Sequence, residues 1–345
     1  MTPGGRRFLC AAMLALVALL LLDQPAFADR GVLETVRTRG YVVCGVGDGP
    51  KGFSVVNGQG VWSGISVDFC RALAAGVLGT KDAVKFRTVS SGDGFAALQS
   101  GEIDVLSRNI SMSWSRDTSL GVRFPAVLVH DGLGFMAGKS QNITSALELS
   151  GARICVTGES ADEQGLTDYF AGLRISAELV KFAKWSDAVT AYANKSCMVL
   201  SADVSVLALA RQELSNAADH AILPEMVTRQ PIGPAVRKGD DEWFNIVRWT
   251  VYALVAAEEL GIGAATVDSA RNSHSTDVRR FLGLEVDLGR SLGLSADWTQ
   301  RIVRQVGNYG EIFERNLGQK SALRLERRLN NLASKGGLQM SPPFR

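Results

Sequence analysis

Histidine is scarce in this chain: three in 345 residues, His130, His220 and His274. No HExxH, GxSxG, CxxC or paired-histidine pattern occurs, which leaves little for a zinc site or a serine hydrolase. Charge of one sign is also lacking. The net charge is +2, too small a basic surplus for a nucleic-acid surface, and no acidic tail is present. No short-period repeat is found. Beyond the N-terminus, no apolar run is long enough to cross a bilayer, which needs about 20 residues.

The chain is 46% apolar and 21% charged, as expected of a globular protein with ample core, and its length suits two domains. Its N-terminus has the form of a secretory leader. Arg6 and Arg7 precede an apolar run, Phe8 to Leu22, and Ala26-Phe27-Ala28 fits a cleavage site before Asp29. An uncleaved anchor is the alternative. Removing Arg6, Arg7 and Asp23 with the leader leaves +1. Cys10 goes with it, and Cys44, Cys70, Cys155 and Cys197 remain. An even number in an exported chain points to disulfides, with three pairings open. Cys44 with Cys70 and Cys155 with Cys197 is favoured, since each bond closes a loop within one half. Metal binding is the weaker alternative.

In chain order, Tyr41 to Val46 reads as an apolar strand followed by GDGPKG. Gly47, Gly49 and Gly52 satisfy GxGxxG, yet an extended piece follows where a dinucleotide site needs a helix. The glycines are read instead as letting the backbone approach something small, with Phe53 the candidate to cover it. A helix from Val67 to Leu78, a strand from Val84 to Val89, a helix from Asp93 to Ser100 and a strand from Ile103 complete a β-α-β-α-β run, which implies a parallel sheet. A second such set follows. It comprises strands Arg153 to Val156, Glu178 to Phe182 and Met198 to Leu200, and helices Asp162 to Phe170, Trp185 to Ala193 and Asp203 to Gln212. Extended Gly/Pro-marked segments near 132–138 and 228–234 are expected to cross between two lobes. A long amphipathic helix, Asp240 to Leu260, leads into a mostly helical tail. There Arg324, Arg327 and Arg328 lie opposite Leu325, Leu329 and Leu332 and are expected to form a solvated face.

The stretch Asp104 to Asp117, DVLSRNISMSWSRD, stands out. A buried strand ends in a loop of hydroxyl, amide and guanidinium groups, as an oxyanion receptor requires. Arg116 can close on both oxygens of a carboxylate. Loops at the carboxyl ends of strands in such sheets are where ligands bind. The plainer alternative pairs Arg116 with Asp117 on a solvated turn.

These segments resemble a known family. WSGISVDFCRALAAGVLG, ALQSGEIDVLSRNISMSWSRDTSLG, ICVTGES, CMVLSADVS and GPAVRKGDDEWFNIVRWTVYALVAAEELG are similar to the periplasmic solute-binding proteins of polar and general L-amino-acid ABC transporters. RQVGNYGEIFERNLG resembles the general L-amino-acid branch. The resemblance implies the α/β two-lobe fold of type II periplasmic binding proteins, with two crossing hinge strands and an extra C-terminal helical region. It implies a leader at 1–28, a first lobe from 29–134, a second lobe from 135–230, and a return to the first lobe with the extension from 231–345.

It also implies roles. Arg116 would clamp an α-carboxylate, aided by Asn109 and Ser111. Ser160 would serve as the hydroxyl of a turn at a helix N-terminus, Asp203 would take the α-ammonium, and Phe53 would cover the side chain. Asp203 and Ser160 could each be plain N-caps instead. One departure is visible: Gly158-Glu159-Ser160 stands where the family has Gly-Thr-Thr, and a carboxylate there bears on ligand range. The implied protein is a periplasmic monomer without cofactor. It would bind free L-amino acids and deliver them to an inner-membrane ABC permease and its ATPase. The alternatives are an exported sensor, or an enzyme of dehydratase or lyase type, on the same scaffold.

Overall fold

The computed structural model describes residues 31–345 except Asp48, Pro50, Ser91, Glu159 and Ser160, and leaves out the side chains of Ala161 and Asp162. The expected leader and its cleavage site lie outside the described residues. After α1 (Val32–Arg39), the apolar strand β1 (Val42–Val46) is followed by a small hairpin, β2 (Val55–Val56) and β3 (Trp62–Ser63). Then come α2 (Ile65–Leu78), β4 (Val84–Thr88), α3 (Asp93–Gln99) and β5 (Val105–Leu106). The strands form a parallel sheet in the order β4-β1-β5, with Cys44 opposite Phe86 on one side and Val105 on the other. A parallel strand at the centre is covered on both faces, which is why β1 lacks polar residues. Helix α2 is buried nearly all round, in twelve of its fourteen residues. Its wide apolar surface therefore needs cover on two sides. A Cys44–Cys70 disulfide ties it to β1, and the C-terminal helices close its far side. Gly76 allows that approach, since a Cβ there would lie 3.1 Å from Ile302.

The chain continues through α4 (Trp114–Ser119), β6 (Val122–Arg123), β7 (Val129–Asp131) and β8 (Leu133–Gly138). A second sheet is built from β8, β9 (Arg153–Thr157), β10 (Glu178–Phe182), β11 (Val199–Asp203) and β12 (His220–Ile222), in the order β10-β9-β11-β8-β12. Helices α5 (Ala161–Leu173), α6 (Trp185–Ala193) and α7 (Val204–Glu213) connect its strands. Because side chains alternate across a strand, each strand feeds two cores. Phe135, Ile154 and Val199 pack with Leu166 and Phe170, while Met136, Cys155 and Leu200 pack with Ala188 and Leu207. The Cys155–Cys197 disulfide lies in the latter core.

The return strand β13 (Gln230–Ile232) pairs antiparallel with β7, and β14 (Val236–Arg237) pairs with β6. The first crossing is thus at 129–131, earlier than the expected 132–138. Residues 133–138 belong wholly to the second sheet, buried on both faces apart from Gly138. Gly132 marks the exit from the hinge, where a Cβ would lie 2.0 Å from the Thr228 carbonyl oxygen.

The rest packs on the first lobe: α8 (Asp241–Glu259), α9 (Val267–Ala270), α10 (Thr276–Phe281), α11 (Trp298–Val306) and α12 (Tyr309–Asn316). Asp240 caps α8 by accepting from the Trp243 amide and also accepts from the Val32 amide, binding two helix starts together.

The arginine-bearing tail departs from expectation. Residues 323–333 form no α-helix; a 3₁₀ turn, Arg328–Asn330, interrupts irregular chain, a second begins at Ala333, and Arg324 and Arg328 have positive φ of 48° and 46°. Arg327 is not solvated. It forms a two-pronged pair with Glu258 and lies over the rings of Tyr309 and Phe313. Arg328 donates to the carbonyls of Ile222 (3.0 Å) and Leu223 (2.7 Å) in the second lobe. Those fixed acceptors, distant in sequence, dictate the local path of the tail. Among the described residues, no helix is long and apolar enough to cross a membrane.

Candidate functional site

The first-lobe side is the loop after β5. The Leu106 amide donates to the Ala235 carbonyl and the Ser107 amide to the Gly45 carbonyl, so the loop leaves the sheet in a fixed direction. Ser113 caps α4 by accepting from the Arg116 amide at 3.3 Å. Arg116 is half-buried and folds back on the loop, donating to the Ser111 carbonyl (2.7 Å) and hydroxyl (2.9 Å). Asp117 instead accepts from the Phe124 amide. The two neighbours are thus engaged separately, contrary to the plain ion-pair reading. Asn109 is half-buried in the same turn. Arg116, Ser111 and Asn109 are therefore brought into one loop of hydrogen-bonding groups.

Asp203 ends β11 and occupies the N-cap position of α7, yet its side chain makes no cap bond. Asp131, from the hinge strand β7, has taken that place. It accepts from the Ser205 hydroxyl (2.6 Å), the Ser205 amide (3.4 Å) and the Gly132 amide (2.9 Å). Asp131 is buried, and burial raises its pKa, an upward shift that these donors only partly offset. With its helix capped from elsewhere, Asp203 is presented to a cavity of about 240 Å³. Gln230 of β13 donates from Nε2 to Asp203 Oδ1 at 2.8 Å. Val156, Leu166 and Val206 give this cavity apolar walls; Thr157, Glu163 and the ring of Trp185 complete it. Glu163 pairs with Lys181 at 2.5 Å.

The cavity is lined by second-lobe residues, and the Arg116 loop is not part of its wall. What joins the two sides is β13. Its Gln230 holds Asp203, its Pro231 carbonyl accepts from the Met112 amide (2.7 Å), and its Ile232 bridges Ser111. Three consecutive residues thus touch the Arg116 loop on one lobe and the Asp203 carboxylate on the other.

Phe53 is not with them. It is wholly buried in the first-lobe core and lines a small internal space with Phe313 and Leu317. Gly52, at φ +93°, turns the chain inward, and the Phe53 carbonyl accepts from the Ser66 amide. Phe53 is therefore a core residue here and is not among the residues that line the cavity faced by Asp203. The aromatic that does line the cavity is Trp185, missed as a mere helix start. Its place after β10, at the carboxyl end of a parallel strand, is the signal that could have found it. Asp131 was missed as well. Ser160 and Glu159 lie outside the described residues. Among those residues, no group of three His, Cys, Asp or Glu is placed to hold a metal.

A model of the bacterial extracellular solute-binding proteins, family 3, matches residues 42–261. The general L-amino acid-binding periplasmic protein AapJ of Rhizobium johnstonii is 46% identical over 333 residues, covering 96% of this chain and 98% of that one. The glutamate/glutamine/aspartate/asparagine-binding protein BztA of Rhodobacter capsulatus is 42% identical, covering 97% and 99%. Among solved structures, a periplasmic binding protein of an ABC transporter from Brucella ovis, with glutathione bound, is 44% identical. It matches with a TM-score of 0.77 over 91% of this chain and 99% of that one. Two sheets joined by a pair of crossing strands are accordingly the two-lobe fold of type II periplasmic binding proteins, and the chain belongs to the bacterial extracellular solute-binding proteins of family 3.

Proposed function

We propose that this protein is the substrate-binding component of an ABC importer, holding free L-amino acids between two lobes that close around them. The carrying observation is the single strand, Gln230–Ile232, that contacts both the Arg116–Ser111 receptor and the Asp203 carboxylate. An amino acid is a zwitterion: its carboxylate suits guanidinium and N–H or O–H donors, and its ammonium suits a carboxylate. The names of the relatives support the same reading. Arg116, Asn109 and Ser111 take the carboxylate, Asp203 takes the ammonium, and Trp185 contacts the side chain. Ser160, on the residues alone, joins the carboxylate side.

The lobes that move are the segments before β7 and after β13 on one side, and the segment between the crossings on the other. A ligand favours the closed form only through contacts it makes there, so second-lobe groups govern closure more than first encounter. The protein works in the periplasm as a monomer, is exported through a cleaved leader, hands its ligand to a membrane permease with its ATPase, and turns nothing over. The periplasmic relatives and the two disulfides support this placement.

A γ-glutamyl peptide presents the same zwitterionic end, and the related Brucella protein was solved with glutathione. A thermal-shift screen of the common L-amino acids, with glutathione and the 2-hydroxy acid analogues alongside, tests the proposal. Several L-amino acids should raise the melting temperature and the hydroxy acids should not. No shift with any amino acid would overturn the reading, and a shift with glutathione alone would replace it with a peptide-binding one.

A further inference from the structure

Asp203 sits where a carboxylate ordinarily turns back to cap its own helix, and it does not do so. Asp131 accepts those donors from the neighbouring hinge strand. The Asp203 carboxylate is held from across the hinge instead, by the Gln230 side chain at 2.8 Å. Only the nitrogen of that amide can donate to a carboxylate, so its orientation is chemically forced.

The backbone of Gln230 is equally constrained. It lies opposite Asp131 in the β7–β13 pair. The next two residues are pinned as well: the Met112 amide donates to the Pro231 carbonyl, and the Leu128 amide to the Ile232 carbonyl at 2.7 Å. Gln230 is thus a rigid arm, carried by the hinge, aimed at one oxygen of Asp203.

We infer that Gln230 is a positioning residue for the ammonium half of the site: it holds the Asp203 carboxylate turned toward the cavity, and so sets the preference for ligands that carry an α-amino group. The inference rests on the amino-acid reading above for its ligand, but not for its effect on Asp203. An amide N–H donated to a carboxylate favours the ionised form without cancelling its charge. A lysine in that place would also keep Asp203 ionised but would satisfy it internally, leaving little attraction for an incoming ammonium. Among the described residues, the ionisable groups nearby include Asp131 on β7, buried among its donors, Glu163 on α5 with its partner Lys181 on β10, and the exposed Arg229 beside Gln230.

The test is a carbon-13 titration of the Asp203 carboxyl in the ligand-free full chain, wild type against Gln230→Met, with calorimetric binding of L-glutamine and its 2-hydroxy analogue from pH 5 to 8. Methionine keeps the length of the side chain and removes the donor. The Asp203 titration should move up by about one unit. L-Glutamine should bind roughly tenfold more weakly, the deficit widening toward acid, while any binding of the hydroxy analogue stays unchanged. Gln230→Lys, a second variant that serves if the first does not fold, should move the titration down and weaken glutamine binding. An Asp203 titration indifferent to both substitutions would overturn the inference, whatever the protein binds. A titration that moves as expected in a protein that binds no amino acid would uphold the Gln230–Asp203 link and sink the functional reading alone.

Discussion

The two lobes solve the same packing problem with different means. The first has only three parallel strands, yet it holds the larger core, because the chain returns to it after β13 and lays helices α8, α11 and α12 over α2. The second has five strands and three helices, with a smaller core layer on each face of its sheet, while the first sets one large layer against one small one. The halves of the proposed site differ in the same sense. The first offers hydrogen-bond donors from a loop braced by sheet and hinge; the second offers a carboxylate whose aim depends on residues from the hinge. The difference teaches that the thick lobe is the base, and that the thin lobe's half of the site is oriented by the crossing strands as much as by its own core.

The comparison can be broken most forcefully in the base. Arg327 and Glu258 are 13% and 11% exposed, and Arg327→Ala leaves Glu258 buried without its partner. About 3–5 kcal/mol of stability should be lost in urea unfolding. Next comes the thin lobe. Opening the Cys155–Cys197 bond with a double serine substitution frees a 42-residue separation and should cost roughly 3–4 kcal/mol. Hydrogen exchange should rise in strands β8 to β12 and little in β1 and β4; a uniform rise would mean that the lobes unfold as one.

A smaller effect falls on binding. Arg116 is half-buried, so Arg116→Ala should weaken amino-acid affinity by about 2–3 kcal/mol in calorimetry, with the melting temperature of the ligand-free protein almost unchanged. Smallest is Asn330→Ala in the tail. Asn330 brackets His130 of the hinge strand, accepting from its amide (2.7 Å) and donating to its carbonyl (2.8 Å). Its loss should cost about 1–2 kcal/mol of stability.

Much of this was legible in the sequence, for local reasons. Strands and helices from β9 to α6 fall within a few residues of expectation because polar turns separate short apolar runs. The cysteine pairing followed from keeping each loop within one half, and the bonds are formed as expected. The sequence failed where the deciding partner is remote. Asp131 caps a helix 74 residues away, so nothing near Asp203 signals that its own capping role is taken. Arg327 finds Glu258 at a separation of 69 residues, and Arg328 finds Ile222 at 106. Spacing alone made these arginines look like one face of a helix. Phe53 looked like a lid because glycines precede it, but Gly52 turns it into the core. The first hinge strand was placed a few residues late because Gly132, Gly134 and Gly138 mark where the chain leaves the hinge, not where it crosses.

The central claim is that half-sites of opposite polarity on two lobes close together on one zwitterion. Small-angle X-ray scattering of the full chain, with and without saturating L-glutamine or its 2-hydroxy analogue, tests it most directly. The account predicts that the radius of gyration falls with the amino acid and stays unchanged with the hydroxy acid, whose hydroxyl carries no positive charge for Asp203 to attract. An amino acid that binds while the radius stays constant would contradict it.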